Sequence, residues 1–494
     1  MDRVSSERIV SRNKAPVNPG GEFVLYWMIA FRRVHWNFSL ERAAEWAREL
    51  GKPLLVLEAL RCDYPWASER LHSFILDGMR DNRTHLKGTG AFYYPFVEHF
   101  KDQGKGLLRA LALRAAVIVT DDYPAYFLPR MVRAAARDLP IKMEAVDSNG
   151  LFPMRMTDRV FSTALSFRRV LQQELPNLLD RFPKQDPLSG PSIPVLPGIP
   201  SEITEQWPPA AGEAMESSPE NLSTLPIDHT VKAVEARGGS EEAGIRLRDF
   251  LQHKVHIYHT EGKHPDENAV SGLSPYLHFG HISTHEIFSR LTEAEEWSRE
   301  RISARACGRR EGWWGMSEGA EAFLDQLVTW REIGFNMCSK RDDYDQLASL
   351  PGWALNELMA HAADHRSNTY TLQQFESAKT HDPLWNAAQR QLIEEGGIHN
   401  TPRMLWGKKV FEWSASPLDA LKIMIELNNR YALDGRDPNS YTGIFWVLGR
   451  YDRPFGPSRP VFGKVRYMSS ASMLRRIKIE EYMNRYGEGS IKPD

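Results

Sequence analysis

The sequence predicts an α/β domain followed by an all-α domain. Short apolar runs alternate with helical patterns in the first third of the chain. A segment rich in Pro, Ser and Gly follows, and beyond it the strand signals fade while helical patterns continue. Alternating strands and helices are typical of a parallel sheet, whereas helical patterns alone are typical of a helical domain.

The predicted strands of the first domain are short and almost wholly apolar, as buried parallel strands are. They lie at residues 22–31, 53–60, 115–120 and 141–146, with helical periodicity at 39–50 and 129–139. Right-handed crossovers between such strands give a doubly wound, Rossmann-like domain. The domain contains no GxGxxG, so the ordinary dinucleotide fingerprint is absent.

The composition of residues 183–225 predicts a long extended linker between the domains. We therefore expect an N-terminal extension at 1–21, the α/β domain at 22–182 and the helical domain at 226–494. Helical patterns in the last domain occupy 241–259, 322–338, 383–395 and 417–431. A charged stretch at 295–319 is predicted to be a loosely structured insertion.

Composition limits the class of protein. The 494 residues carry a net charge of −2, so the chain as a whole has no electrostatic attraction to nucleic acid. Cys62, Cys307 and Cys338 are too few and too scattered for a metal site or a disulfide framework, which favours a reducing compartment. The absence of an apolar leader or spanning segment predicts a soluble intracellular (cytoplasmic) protein with no membrane partner.

Two polar stretches could serve a ligand. Ser271 and Ser274 stand where a loop opens a helix, and their hydroxyls with free backbone N–H groups could bind a phosphate or simply cap the helix. Gln326 and Trp330 are four residues apart on a predicted helix. They could grip a flat heterocycle by its edge and face, or lie at the rim of the core.

Three tryptophans of the helical half raise a similar choice. Trp406 and Trp413 are seven residues apart and share one side of a helix, while Trp385 begins another. Stacked core indoles are the common explanation. A chain of oxidisable rings leading to a redox centre is the rarer one, and composition does not separate them.

The stretch "NNRYALDGRDPNSYTGIFW" at 428–446 is the richest in polar groups. Asp434 and Asp437 flank a Gly-Arg turn, and Asn428 lies one helical turn upstream. Buried polar groups at such density need partners. Either a bound polar heterocycle or mutual pairing of Asp and Arg would supply them.

Taken together, the stretches "SPYLHFGHIS", "THDPLWNAAQ", "MLWGKKVFEW", "LNNRYALDGRDPNSYTGIFW" and "RPVFGKVRYM" resemble the class II DNA photolyases of the photolyase/cryptochrome superfamily. The likeness runs from about residue 22 to 486 and is most specific in the helical half. It implies FAD in the helical domain, beside a cavity open to DNA. In that family, excited reduced flavin donates an electron to a cyclobutane pyrimidine dimer, the ring opens and the electron returns.

The resemblance also assigns residues to FAD. Asn428 falls beside flavin N5, Asp434 and Asp437 under the flavin and ribityl chain, and Arg403 beside the ring. Trp385, Trp406 and Trp413 match the path for photoreduction, in an order left open. The positions around the phosphates, the ribityl chain and the rest of the cofactor are Tyr258, Lys263, Ser271, Leu273, Ser274, Arg331 and Asn336.

The expected partner is DNA with a flipped-out dimer, bound by a monomeric protein. The resemblance assigns Gln326, Trp330, Met404 and Trp446 to the lesion pocket, and Phe455 and Arg466 to the intrusion into the duplex. A Phe wedge can fill the gap that base flipping leaves. No metal is expected. A second, antenna chromophore of the deazaflavin or folate type is left open.

Three departures from the family pattern bear on activity. The family has Glu where this chain has Gln326, so the charge and the proton donor are lost. Gly262-Lys263 replaces Arg-Asn near the phosphates, and Asn429 replaces a usual Asp. The sequence therefore predicts a light-driven pyrimidine-dimer lyase. A cryptochrome-like flavin photoreceptor with weak or no repair is the alternative.

Overall fold

The chain forms two compact units. A computed structural model describes residues 4–488, so the outer ends of the predicted extension and of the predicted helical domain lie outside the described residues. Unit 1 is formed by residues up to Asp158, by Asn177–Arg248 and by Leu273–Glu293; unit 2 is formed by Arg159–Pro176, Asp249–Gly272 and the residues from Ala294 onward. The chain thus passes between the units several times, rather than once at 183–225.

The predicted linker packs within unit 1. It contains two short helices and buries Trp207, Met215 and Leu222. The indole Nε1 of Trp207 donates to the carbonyl of Gln103 at 2.9 Å, and the Tyr94 hydroxyl donates to the carbonyl of Trp207. Apolar side chains spaced along a Pro-rich segment give it a core-facing side, which composition alone does not reveal.

Unit 1 is built on a six-stranded sheet of order β1-β6-β5-β2-β3-β4. The strands are β1 Ile9–Ser11, β2 Phe23–Met28, β3 Leu54–Leu60, β4 Phe92–Val97, β5 Ala115–Asp121 and β6 Met143–Val146. The five strands from β2 to β6 pair in parallel, and β1 adds to β6 in the antiparallel sense. The α/β prediction is confirmed. Strands β1 and β4, at the two edges, were not predicted.

The helices follow in chain order. The first eleven are α1 Phe38–Leu50, α2 Glu69–Leu86, α3 Leu107–Arg114, α4 Leu128–Asp138, α5 Ala164–Glu174, α6 Ser201–Gln206, α7 Pro219–Ser223, α8 Ser240–His253, α9 Tyr258–Glu261, α10 Ser274–His278 and α11 Thr284–Ala294. The rest, all in unit 2, are α12 Glu318–Leu324, α13 Arg331–Lys340, α14 Gly352–Ala360, α15 Leu372–Glu376, α16 Pro383–Glu395, α17 Asn400–Trp413, α18 Pro417–Tyr431, α19 Pro438–Val447, α20 Ser470–Arg476 and α21 Glu480–Tyr486.

Unit 2 is helical, as predicted, and it owes its helix boundaries to local signals. Asp382, Ser416 and Asp437 each accept a backbone N–H at the start of α16, α18 and α19, and Pro follows each of them at the first helical position. Within residues 4–488, no helix combines the length and apolar character needed to cross a bilayer. The same residues bring no three metal-binding side chains together.

A loop of unit 1 depends on one buried carboxylate and one glycine. Oδ2 of Asp121 accepts the backbone N–H groups of Ile29, Ala30 and Phe31 at 2.7–2.9 Å. Gly280, in the "HFGHIS" stretch, packs against this loop with φ +74, and a Cβ there would lie 2.0 Å from the carbonyl oxygen of Ala30. Only glycine fits this position.

We expect Gly280→Ala to lower the free energy of unfolding by roughly 3 kcal/mol or more, because left-handed strain and a backbone clash add together. Gly51 is the matched control, since it has φ +62 and a Cβ added there would meet nothing within 4 Å. Gly51→Ala should cost only about 1 kcal/mol. Urea denaturation of both variants measures the difference, and equal losses would contradict the clash.

Candidate functional site

The polar loop between α18 and α19 is organised by Asn429. Its Oδ1 accepts the backbone N–H of Arg436 at 2.9 Å, and its Nδ2 donates to the Tyr441 hydroxyl at 3.2 Å. Asn429 is fully buried, and Arg436 is nearly so. The Arg436 guanidinium donates to the carbonyls of Asn429, Ala432 and Leu433. The loop is therefore held in one conformation by its own hydrogen bonds.

This arrangement fixes the orientation of Asn428. Because a backbone N–H makes Asn429 Oδ1 an acceptor, the neighbouring atom of Asn428 must be the donor. Asn428 Nδ2 accordingly donates to Asn429 Oδ1 at 3.3 Å and to Ser440 Oγ at 2.7 Å. Among the described residues no group donates to Asn428 Oδ1. A buried side chain thus presents an amide oxygen that can accept from a ligand.

The carboxylates of the loop have separate partners. Arg403, on α17, makes a fork of hydrogen bonds to Asp434 at 3.2–3.3 Å. Asp437 caps α19 by accepting the backbone N–H of Asn439 at 2.8 Å. The pairing of Asp with Arg foreseen as an alternative thus exists for Asp434. It leaves one side of the Arg403 fork, which is partly exposed, able to meet a ligand.

Of the residues predicted around the cofactor phosphates, Lys263 and Tyr258 lie in different surroundings. The side chain of Lys263 is exposed, and its carbonyl accepts from the Thr401 hydroxyl at 2.7 Å. Tyr258 packs edge-on against Phe250 and Phe323, and burial, helped by the Asp325 carboxylate, raises the pKa of Tyr258 to about 12. The Tyr258 phenol therefore stays neutral at physiological pH.

The other predicted cofactor residues differ in the contacts that they make and in the unit to which they belong. Ser271 ends a segment of unit 2, whereas Leu273 and Ser274 belong to unit 1, where Ser274 opens α10. Arg331 is buried, with its guanidinium 4.3 Å from the centre of the Phe335 ring. The Asn336 amide is bound to the backbone, donating to the carbonyl of Arg159 and accepting from the N–H of Phe161. Asn336 thus holds a chain segment.

The three predicted tryptophans form one continuous group, with Trp385 in the middle. Its ring is stacked with Trp406 at 6.4 Å between centroids and 8° between planes, and it meets Trp413 edge-on at 6.3 Å. All three rings are buried. Trp385 Nε1 donates to the carbonyl of Trp406 at 3.0 Å, and Trp406 Nε1 donates to Gln389 Oε1 at 2.8 Å.

Three further aromatic side chains, those of Tyr370, Phe375 and His381, extend this group, and none of them was predicted from sequence. Tyr370 lies 5.8 Å from Trp413, and His381 lies 4.7 Å from the same ring. The Tyr370 hydroxyl is 2.7 Å from His381 Nδ1. His381 stands inside the quoted "THDPLWNAAQ" stretch, but Tyr370 comes from a polar loop that carries no motif.

Gln326 and Trp330 sit on a π-helical turn. The turn spans Asp325–Trp330 between α12 and α13. The spacing across it is π-helical rather than the α-helical spacing expected between Gln326 and Trp330; Gln326 is exposed and Trp330 is half-buried. Turns of this kind are rare and are frequent at functional sites.

Trp446, at the end of α19, contacts two basic side chains. Lys408 Nζ is 5.0 Å from its ring centre, and the Arg466 guanidinium is 5.4 Å away. Arg466 also covers Phe455 at 4.4 Å and pairs with Asp452. Met404 is half-buried on α17, the helix that carries Lys408. The structure thus brings Trp446, Phe455 and Arg466 into contact.

Lys408 is a buried lysine that the sequence reasoning missed. It is fully buried, and its ammonium donates to the carbonyl of Val447 at 2.6 Å. Burial lowers the pKa of Lys408 to about 7; the charge of Arg466 adds to this effect and that of Asp452 opposes it. The charge beneath Trp446 therefore changes near physiological pH.

Comparison with known proteins places this geometry in a family. No protein-family model matches the chain. The chain is 34% identical to the deoxyribodipyrimidine photo-lyase of Methanothermobacter thermautotrophicus over 485 residues, 98% of each chain. It is 32% identical to the deoxyribodipyrimidine photo-lyase of Oryza sativa subsp. japonica, over 94% of this chain and 87% of that one.

Similarity extends to a solved structure and to a cryptochrome. A class III photolyase from Agrobacterium tumefaciens shares the fold with a TM-score of 0.67 at 16% identity, over 94% of this chain and 86% of that one. Cryptochrome-1 of Drosophila melanogaster is 24% identical over 34% of this chain and 29% of its own. The chain belongs to the photolyase/cryptochrome family.

We expect the free energy of unfolding to rise with pH between about pH 7 and about pH 9, by up to ~1.4 kcal/mol per pH unit from Lys408 alone. The folded pKa lies below that of the unfolded chain, so the unfolded state binds more protons in this window. Stability from this group is therefore gained as pH rises. Lys408→Met should remove that gain.

Denaturant titrations of the wild type and of Lys408→Met, at several pH values in this window, measure the effect. The neighbouring Asp452 and Arg466 are present in both proteins, so the comparison isolates Lys408. Parallel stability curves for the two proteins would show that Lys408 has an ordinary pKa.

Proposed function

We propose that this protein repairs cyclobutane pyrimidine dimers in DNA with light, by electron transfer from reduced FAD in the manner of the class II photolyases. The observation that carries the proposal is the contact of Trp406, Trp385 and Trp413 in the helical unit that also presents the Asn428 amide oxygen. Family membership supports a photolyase-like lyase. The class and the lesion are the parts that this proposal adds.

The residues of unit 2 fit FAD. The Oδ1 atom of Asn428 suits the N–H that a reduced flavin carries at N5, and it brings no charge beside a flavin anion. The partly exposed Arg403 fork suits a carbonyl or phosphate oxygen. When bound, reduced FAD supplies the photoexcited electron that opens the cyclobutane ring.

The indoles support photoreduction because an oxidised indole would keep its N–H proton here. Trp385 and Trp406 donate to a carbonyl and an amide oxygen, which are too weakly basic to take a proton from an oxidised indole. An electron vacancy on either ring therefore stays mobile. Ring contacts lead it outward through Trp413, whose ring also borders half-buried Tyr370.

The predicted DNA side is aromatic and cationic. Half-buried Trp330 and Trp446 suit the flat faces of a flipped dimer, which costs little to extrude because its pairing is already weak. Arg466, over Trp446 and Phe455, places positive charge where a phosphate would pass. Exposed Gln326 can donate to a base carbonyl from its amide.

A cryptochrome-like photoreceptor is the second candidate, and Gln326 favours it. An amide replaces the carboxyl that the class II resemblance requires at this position. The same tryptophan group would serve a receptor, since photoreduction alone needs no lesion. The similarity to a cryptochrome covers only a third of the chain, which weighs toward repair.

Illumination of the reduced protein with dimer-containing DNA separates the two functions. Restored thymines, counted against a dark control, are expected. A protein that binds FAD and undergoes photoreduction, yet restores no thymines, is a receptor rather than a lyase. Heat-inactivated protein under the same lamp controls for direct photochemistry.

We expect Trp385→Phe to slow flavin photoreduction by an order of magnitude or more, because it removes the ring that contacts both other indoles. Bleaching of the oxidised flavin absorption under light with a reductant measures the rate. Trp406→Phe should slow it as well.

Trp353→Phe is the matched control. Trp353 is a half-buried indole on α14 that contacts none of the three rings among the described residues. Its replacement should leave the bleaching rate unchanged. Equal rates for Trp385→Phe and wild type would show that electrons take another path.

We expect Gln326→Glu to raise the yield of dimer repair per absorbed photon, because it restores a carboxyl at the dimer edge. Gln326→Leu, which keeps the size but removes the hydrogen bonds, should lower the yield. Repair quantum yields of the three proteins on one dimer-containing oligonucleotide provide the test. Equal yields would remove Gln326 from the site.

A further inference from the structure

The charged stretch at 295–319 is firmly held, contrary to the loosely structured insertion that the sequence predicts. Glu321 accepts the backbone N–H groups of Gly312, Gly315 and Met316. Trp313 and Trp314, near its end, are buried. We call residues 303–316 the brace loop. Its function is not explained by the flavin or by the lesion pocket.

Helix α5 fastens the other end of the brace loop. Gln172 accepts from the N–H of Gly308 at 2.6 Å and donates to the carbonyl of Arg309 at 2.9 Å. Arg168 donates to the carbonyl of Gly308 at 3.0 Å. Gly308 has φ +80, and a Cβ there would lie 2.8–2.9 Å from Leu165. The loop is therefore closely fitted to α5.

Arg168 connects this assembly to the π-helical turn. Its Nε and one terminal nitrogen both lie 2.8 Å from Oδ1 of Asp325, the first residue of the turn. Both side chains are buried. Exposed Arg310 reaches the other oxygen of Asp325 at 3.4 Å. A buried ion pair of this kind holds its partners in one geometry.

A small cavity beside the π-helical turn indicates that the Arg168–Asp325 pair supports the turn rather than binding a ligand. A cavity of about 20 Å³ lies among Arg168, Trp313, Asp325 and Val328. That volume suits a water molecule and excludes an organic ligand. Side-chain packing leaves this small space beside the turn, so the polar contacts of Asp325 contribute to the shape of the turn together with the buried Leu327, Val328 and Thr329. A change from π-helical to α-helical spacing would change the relative direction of Gln326 and Trp330.

We propose that Arg168, through its buried ion pair with Asp325, is a positioning residue that holds the π-helical turn so that Gln326 and Trp330 face a dimer together. This inference rests on the proposed function. It assigns the brace loop and α5 to recognition of the lesion, although neither touches the lesion.

The test compares dark binding of dimer-containing and undamaged DNA by the purified flavoprotein. Arg168→Met combined with Asp325→Leu removes the pair without leaving a buried charge. We expect the affinity ratio between the two DNAs to fall about tenfold. Flavin content and binding of undamaged DNA should be unchanged. Arg169→Met is the matched control, because Arg169 binds the brace loop at Cys307 but is exposed and makes no contact with Asp325.

Arg168→Lys provides a second variant if the double variant fails to fold. It keeps the charge but loses the fork, so a smaller fall in the ratio is expected. Combination of either variant with Trp330→Ala should give no further loss, since the brace acts through the turn. Additive losses, or a fall for Arg169→Met equal to that for the pair, would overturn the inference.

Two results distinguish this inference from the proposed function. If the affinity ratio is unchanged for the Arg168 variants but falls for Trp330→Ala, the positioning role of Arg168 is wrong and the proposed lesion site is supported. An unchanged ratio for Trp330→Ala overturns the lesion site and the brace together.

Discussion

The side chain of Asn429 is the fixed point of the candidate site. It is buried without charge, and it accepts from one backbone N–H while donating to one hydroxyl. These two bonds leave the adjacent Asn428 a single orientation, in which its amide nitrogen donates to Asn429 and Ser440 and its amide oxygen faces away from both residues. An Asp at position 429 would accept the same backbone bond but could not donate to the Tyr441 hydroxyl, and it would add a buried charge beside Asn428. The amide therefore avoids that charge while making both bonds.

Helix α17 joins the functions that this site combines. Its residue Arg403 bonds to Asp434, and Trp406 and Trp413, seven residues apart on one side of the helix, both contact Trp385. This much could be predicted from sequence, because motif spacing on a long helix translates directly into direction. The parallel strands of unit 1 were equally predictable, since their apolar runs are continuous and bounded by helical patterns.

The features that escaped prediction depend on contacts distant in sequence. The π turn at Asp325 is bonded to Arg168, which lies more than a hundred residues earlier. Strand β4 contains Pro95, which speaks against a strand unless it lies at a sheet edge, as β4 does. The burial of Lys408 and the packing of Trp207 likewise arise from neighbours that no local pattern announces. Single helices and strands were therefore easier to predict than the pairs they form.

The FAD content of the purified protein tests the central claim most directly. Flavin released by heat denaturation should be stoichiometric with the chain in the wild type. It should be markedly reduced in Asn429→Ala, in which the orientation of Asn428 is no longer fixed. A folded wild-type protein that contains no flavin and takes up none on incubation with FAD would contradict the account.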